Sequence, residues 1–176
     1  MADKPLIILA GGGTGGHLYP GVAVAQELCA LPGGAEVLFL CTEREIDSVI
    51  LAPTGFAFIA QPIVPLVRSV NGLVRFWRKI RETADMVKKV LRERKPQAVL
   101  GLGGYAAGVA VRRAAKMGIP TAILNPDAIP GKANQFLMRY SKAANPSSAT
   151  MTKNCERPVK SGEPIAGRSI PIPRNF

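Results

Sequence analysis

His17 is the only histidine among 176 residues, and it follows five glycines packed into residues 11 to 16 of the run AGGGTGGHLYPG. Imidazole is the side chain that exchanges protons near neutral pH, so an isolated one beside a glycine run is a candidate general base. Glycine lets a main chain approach a ligand closely and offer its N–H groups, which is the chemistry that holds phosphate. A second cluster, Gly103-Gly104-Tyr105, follows another apolar run, AVLGL. If the two clusters share one mouth, they suit a diphosphate with an imidazole at its side.

Other readings of the same residues stay open. Gly11, Gly13 and Gly16 satisfy GxGxxG, which after a strand would serve a dinucleotide, with Glu43 or Glu45 as the acid at the end of the second strand. That reading gives His17 no role, and a lone histidine is more often a structural hydrogen-bonding residue. The pattern GxxxxGK[ST] is absent, which argues against a P-loop nucleotidase.

The elements that must position these residues alternate. LIIL (Leu6 to Leu9), EVLFLC (Glu36 to Cys41), FAFIA (Phe56 to Ala60), AVLGL (Ala98 to Leu102) and TAIL (Thr121 to Leu124) are short apolar runs of the kind buried in a parallel sheet. Between them, helices are expected with Pro20 in a first turn and Val22, Ala23, Ala25, Leu28 and Leu31 buried, over REIDSVILA, over 73–93, over 106–117 and over 132–140. In the long helix, Leu73, Trp77, Ile80, Ala84, Val87 and Leu91 form the stripe expected on the sheet. The pattern predicts an α/β, Rossmann-like, doubly wound parallel sheet of order 3-2-1-4-5 spanning residues 1–142, with both glycine clusters at the crevice where strand order reverses. Residues 143–176, with five prolines and no periodicity, are expected to be an extended or poorly ordered tail.

Composition narrows the partners. The formal charge of +11 is uneven: residues 68–95 carry 10 basic and 3 acidic side chains, whereas residues 1–67 carry 2 and 6. Such asymmetry favours phosphate-rich ligands, nucleic acid or an anionic membrane. No recognisable nucleic-acid-binding motif accompanies it, so no nucleic acid is expected. The apolar stretches 5–26 and 97–111 are broken by glycines or by Pro20 and Gln26, so neither reads as a transmembrane helix. Cys29, Cys41 and Cys155 have no metal-like spacing; an odd number points to a reducing compartment and inert packing. PLVRSVNGLVRFWRKIR (Pro65 to Arg81) interleaves Leu66, Val67 and Phe76 with Arg75, Arg78 and Lys79, an expected contact with anionic lipid.

Three segments then carry a resemblance. GGTGGHLYPGVAVAQEL (Gly12 to Leu28), KPQAVLGLGGYAAG (Lys95 to Gly108) and GIPTAILNPDAIPGKANQFL (Gly118 to Leu137) resemble, in order and spacing, segments of the bacterial MurG glycosyltransferases. The resemblance covers about residues 5 to 142, the amino-terminal half of that family's two-Rossmann-domain (GT-B) enzymes, and the carboxyl-terminal donor-binding domain is expected to be absent.

It implies inverting transfer of N-acetylglucosamine from UDP-N-acetylglucosamine to a polyprenyl-diphosphate-linked muramyl peptide in peptidoglycan and cell-wall synthesis. It implies a site on the cytoplasmic face of the cell membrane, a peripheral attachment, a donor-binding domain or subunit as partner, no metal and no cofactor. His17 would be the catalytic base. Thr14, Gly15, Gly16, Gly103, Gly104, Tyr105, Asp127 and Asn134 would bind substrate. The family's His-Glu-Gln-Asn is Leu124-Asn125-Pro126-Asp127 here, and its GGYxSG is GGYAAG, without the hydroxyl at Ala107. This half is expected to be inactive alone. A diphosphate- or nucleotide-binding subunit of a split transferase, itself without catalysis, is the alternative.

Overall fold

The computed structural model describes residues 4–65, 69–125 and 143–146. Asp127, Asn134, Leu66, Val67, Cys155, the expected helix over 132–140 and the tail beyond 146 lie outside the described residues.

Strands β1 (Leu6–Gly11), β2 (Glu36–Thr42), β3 (Ala57–Gln61), β4 (Ala98–Gly103), β5 (Thr121–Asn125) and β6 (Ala143–Pro146) form one sheet in the order β3-β2-β1-β4-β5-β6. Every neighbouring pair is parallel. The predicted order thus holds, and a sixth strand extends it: residues 143–146, expected in the tail, pair with β5 from Ala122↔Ala143 to Asn125↔Pro146.

Helices α1 (Gly15–Ala30) and α2 (Glu45–Leu51) cover one face, where Leu18, Ala25, Ile50 and Leu51 pack with Leu9, Val37, Phe39 and Leu102. Helices α3 (Val70–Arg94) and α4 (Gly104–Lys116) cover the other, where Val87, Leu91, Ala107, Ala110, Val111 and Ala114 pack with Ile8, Ala10, Leu38, Leu40 and Val99. Alternate residues of β1, β2 and β4 therefore feed two separate cores, and that is why these strands read as unbroken apolar runs.

Three helical expectations change. α1 begins at Gly15, so Pro20 sits in its second turn and denies the Gly16 carbonyl its usual N–H partner. Its buried positions are Leu18, Gly21 and Ala25; Val22 and Leu28 are half-buried, and Leu31 is exposed.

α4 begins at Gly104 with no intervening loop, because Gly103 at φ +116° turns the chain from strand to helix, in a region that favours glycine.

In α3 the inward face is Phe76, Thr83, Ala84, Val87, Val90 and Leu91, while Leu73 and Trp77 are exposed. The 25 residues of α3 run about 37 Å, and the 6 residues of β4 about 20 Å. α3 enters at the carboxyl ends of the strands, capped by Ser69 accepting from the Gly72 N–H at 3.0 Å. Its first turns therefore overhang the sheet, and among the described residues little there covers Val70, Leu73, Val74 and Trp77.

Candidate active site

The two glycine clusters meet. Gly11, at the end of β1, is in register with Gly103 at the end of β4, so both strand-to-helix turns open on the crevice at the centre of the sheet. The His17 ring, in the first turn of α1, lies against the Gly103-Gly104 backbone. A Cβ on Gly103 would fall 2.8 Å from both His17 Cε1 and Nδ1, and one on Gly104 would fall 3.8 Å from His17 Cδ2. Glycine is thus required twice at position 103, by its φ and by the ring that covers it. The Nδ1 atom is buried with no hydrogen-bond partner among the described residues.

The first glycine turn is held from behind by a residue outside the expected set. Asp47, in the first turn of α2, is fully buried. Its carboxylate accepts from the Gly13 N–H at 2.7 and 3.0 Å, from the Thr42 N–H at 2.7 Å and from Thr42 Oγ1 at 2.7 Å. The Arg44 guanidinium donates to the Gly13 carbonyl. A Cβ on Gly12 would collide with the Asp47 carboxylate, so the absence of a side chain there is what admits the acid.

This arrangement goes against the dinucleotide reading. Glu43 and Glu45 are exposed, and the acid after β2 grips the loop's own amide instead of facing a ribose. The available signal was an acid in the first turn of the helix after β2, hidden among Glu43, Glu45 and Asp47 of one short segment.

Asp47 also acts on its neighbour Cys41. Burial, reinforced by that negative charge, pushes the Cys41 thiol up to about 11. Its Sγ donates to the Ile59 carbonyl at 3.7 Å, which suits a packing role. Cys29 is exposed, so the packing expected of it does not occur.

The remaining described candidates fall around this mouth. Thr14 is the exposed N-cap of α1 with no side-chain capping bond, and the N–H groups of Gly15 and Gly16 open its first turn. Tyr105, 51% exposed, stands in the first turn of α4 and meets Phe76 edge-on, with centroids 6.1 Å apart. Ala107, where the resembled motif carries a hydroxyl, is fully buried in the core.

The expected lipid-contact set divides. Arg75 and Arg78 are exposed, and Lys79 is half-buried and paired with Glu82 at 2.9 Å. Phe76 is 9% exposed, between Trp77 and Tyr105, and does not face outward. One residue along a helix is a rotation of about 100°, and it is Trp77 that shares the outward side with Val70, Leu73 and Val74. Among the described residues no helix is long and apolar enough to cross a membrane.

Between α3 and α4 lies a cavity of about 800 Å³ whose upper end is formed by Gly104, Tyr105 and Trp77.

Comparison with known proteins agrees with this fold. Residues 7–146 match the glycosyltransferase family 28 N-terminal domain. A UDP-N-acetylglucosamine–N-acetylmuramyl-(pentapeptide) pyrophosphoryl-undecaprenol N-acetylglucosamine transferase of Bdellovibrio bacteriovorus is 38% identical over 80% of this chain and 40% of its own length. One from Syntrophus aciditrophicus is 39% identical over 76% and 37%. The crystal structure of Acinetobacter baumannii MurG superposes with a TM-score of 0.70 at 29% identity, over 85% of this chain and 44% of that one. A UDP-GlcNAc 2-epimerase from Neisseria meningitidis, at 18% identity and a TM-score of 0.58, shares the fold. The chain spans about 40% of the length of the curated relatives it matches.

Proposed function

The chain belongs to glycosyltransferase family 28, matching its N-terminal domain, and from that premise we propose that it is the acceptor-holding half of an inverting N-acetylglucosaminyltransferase. The observation that carries the reading is the His17 ring seated on the Gly103-Gly104 turn, where two helix N-termini converge.

In this reading the acceptor is a lipid-linked muramyl peptide and the donor is UDP-N-acetylglucosamine, held with the help of a donor-binding domain or subunit. With Nδ1 buried, Nε2 takes the proton from the acceptor hydroxyl. As that proton leaves, the hydroxyl oxygen bonds to the sugar's anomeric carbon, and UDP departs with the electron pair of the broken glycosidic bond. Amides at the starts of α1 and α4, from Gly15, Gly16, Gly104 and Tyr105, face the phosphate charge, as the positive ends of helices do. Asp127 and Asn134 would complete the acceptor contacts.

Attachment to the cytoplasmic face of the membrane fits the overhang of α3. Val70, Leu73, Val74 and Trp77 are exposed there beside Arg75 and Arg78, with Lys79 close by, and Leu66 and Val67 precede them in sequence. Apolar side chains interleaved with cations are what an anionic lipid interface takes up.

The test is His17→Ala in this domain completed with a family donor-binding half. Turnover should fall by about 10² or more, with acceptor affinity within a few-fold. Undiminished turnover would remove the catalytic role, and equal losses in binding and turnover would make His17 a binding group only.

A further inference from the structure

The first turn of α1, which carries His17, draws little support from its own helix. Thr14 supplies no side-chain cap, and Pro20 denies the Gly16 carbonyl its N–H partner. The Thr14 carbonyl accepts from the His17 and Leu18 N–H groups, each at a long 3.3 Å. Gly13, Gly15 and Gly16 add no stiffness, since glycine leaves a backbone its widest freedom. The polar restraint on the turn comes instead from the connection between β2 and α2. Asp47 accepts from the Gly13 N–H at 2.7 and 3.0 Å, and Arg44 donates to the Gly13 carbonyl, so both polar groups of that one residue are engaged from outside.

Arg44 is the only lysine or arginine between residues 5 and 67, and it forms no ion pair among the described residues. Its side chain lies along the turn, with Cδ 3.7 Å and Nη1 3.8 Å from where a Cβ on Gly13 would stand. Asp47 is the fixed jaw, fully buried and bonded to β2 through the Thr42 N–H and hydroxyl as well. A single residue, Thr14, separates Gly13 from α1, and His17 follows in the first turn. We propose that Asp47 and Arg44 are positioning residues for sugar transfer: they clamp Gly13 between them, and through it hold the His17 ring at the angle the acceptor hydroxyl requires. The proposal rests on the reading of His17 as the base, and neither clamp residue acts on the reacting atoms itself.

Two measurements test it. In the 176-residue chain, the ring signals of the sole histidine report its setting by nuclear magnetic resonance. Asp47→Asn and Arg44→Met should each move or broaden them, and Arg44→Lys should leave them in place. Asparagine keeps the shape of the acid but turns an N–H group towards donors; methionine keeps a stem over Gly13 and loses the donor; lysine keeps a donor for the Gly13 carbonyl. In the domain completed with a family donor-binding half, kcat should fall by about tenfold or more in Asp47→Asn and about fivefold in Arg44→Met, with KM for both substrates within about twofold. Arg44→Lys should recover most of that loss.

A double-mutant cycle with His17 shows whether the clamp acts through the ring. With His17→Ala already present, Arg44→Met should cost less than about twofold in turnover. An equal loss in both backgrounds would overturn the proposal, as would losses in KM in place of kcat. Arg44 is exposed, so its variants decide the matter where Asp47→Asn melts below the assay temperature. Undiminished turnover in His17→Ala alone would overturn the base reading and the proposal with it, whereas ring signals unmoved by the clamp variants would overturn the proposal and leave the base reading standing.

Discussion

Replacing Asp47 with alanine should unfold much of what holds the crevice. The carboxylate accepts from three donors, the Gly13 N–H, the Thr42 N–H and the Thr42 hydroxyl, all within 3.0 Å, and it is sealed from water. The hydroxyl can rotate to another partner, but the two amides cannot. A buried donor left unsatisfied costs about 1–3 kcal/mol, so with two amides stranded Asp47→Ala should lose about 2–6 kcal/mol. That is a large part of the roughly 5–15 kcal/mol that stabilises a domain.

A second arm separates this mechanism from general damage to the core. Gly12→Ala drives a methyl group into the same carboxylate, an overpacking that costs about 1–3 kcal/mol. With the carboxylate gone, the methyl has room. Urea unfolding of the two single variants and the double variant should therefore give non-additive losses, with the double milder than the sum by at least about 1 kcal/mol. A loss below about 1 kcal/mol for Asp47→Ala would refute the reasoning, as would additivity within about 0.5 kcal/mol.

Gly103→Ala places a side chain at φ +116° and against the imidazole; it should cost about 1–3 kcal/mol and move the ring signals of the sole histidine in a nuclear magnetic resonance spectrum. Iodoacetamide at pH 8 should label exposed Cys29 and spare Cys41 in the folded chain, which mass spectrometry of the peptides reads out. Because the folded Cys41 thiol is raised from its ordinary value near 9 to about 11, its neutral form contributes stability that is complete below pH 9 and declines as pH rises toward 11. Cys41→Ala should flatten that stretch of a stability-against-pH curve. Double charge reversal at Arg75 and Arg78 should cut sedimentation with anionic liposomes by about tenfold or more, at roughly 1 kcal/mol per cation, and equal sedimentation would exclude this face of α3.

Much of the architecture was legible because the central strands feed two cores and so appear as unbroken apolar runs, as in LIIL and EVLFLC. The adjacency of the glycine clusters followed from the strand order, and with it the place of His17 beside Gly103. Asp47 was not legible. Its chemistry depends on a Cβ that Gly12 lacks, and nothing in the local spacing sets it apart from Glu43 and Glu45. The first turns of α3 were misassigned for a global reason: periodicity gives the apolar stripe but not the point where the sheet beneath it ends. Ala143–Pro146 carries no strand signal of its own, yet pairs along β5, and a proline is tolerated in an outer strand because it withholds a donor the ladder does not need there.

The overhang of α3 divides the helix into two stretches under different selection. Its second half is tied to the sheet through Val87, Val90 and Leu91, where a change of one methylene is felt throughout the domain. Its first turns answer to whatever the outer surface meets. Sequence drift there can retune affinity for one bilayer composition or another without loosening the fold or disturbing His17, and those turns should release their amide hydrogens to deuterium well before the turns that follow.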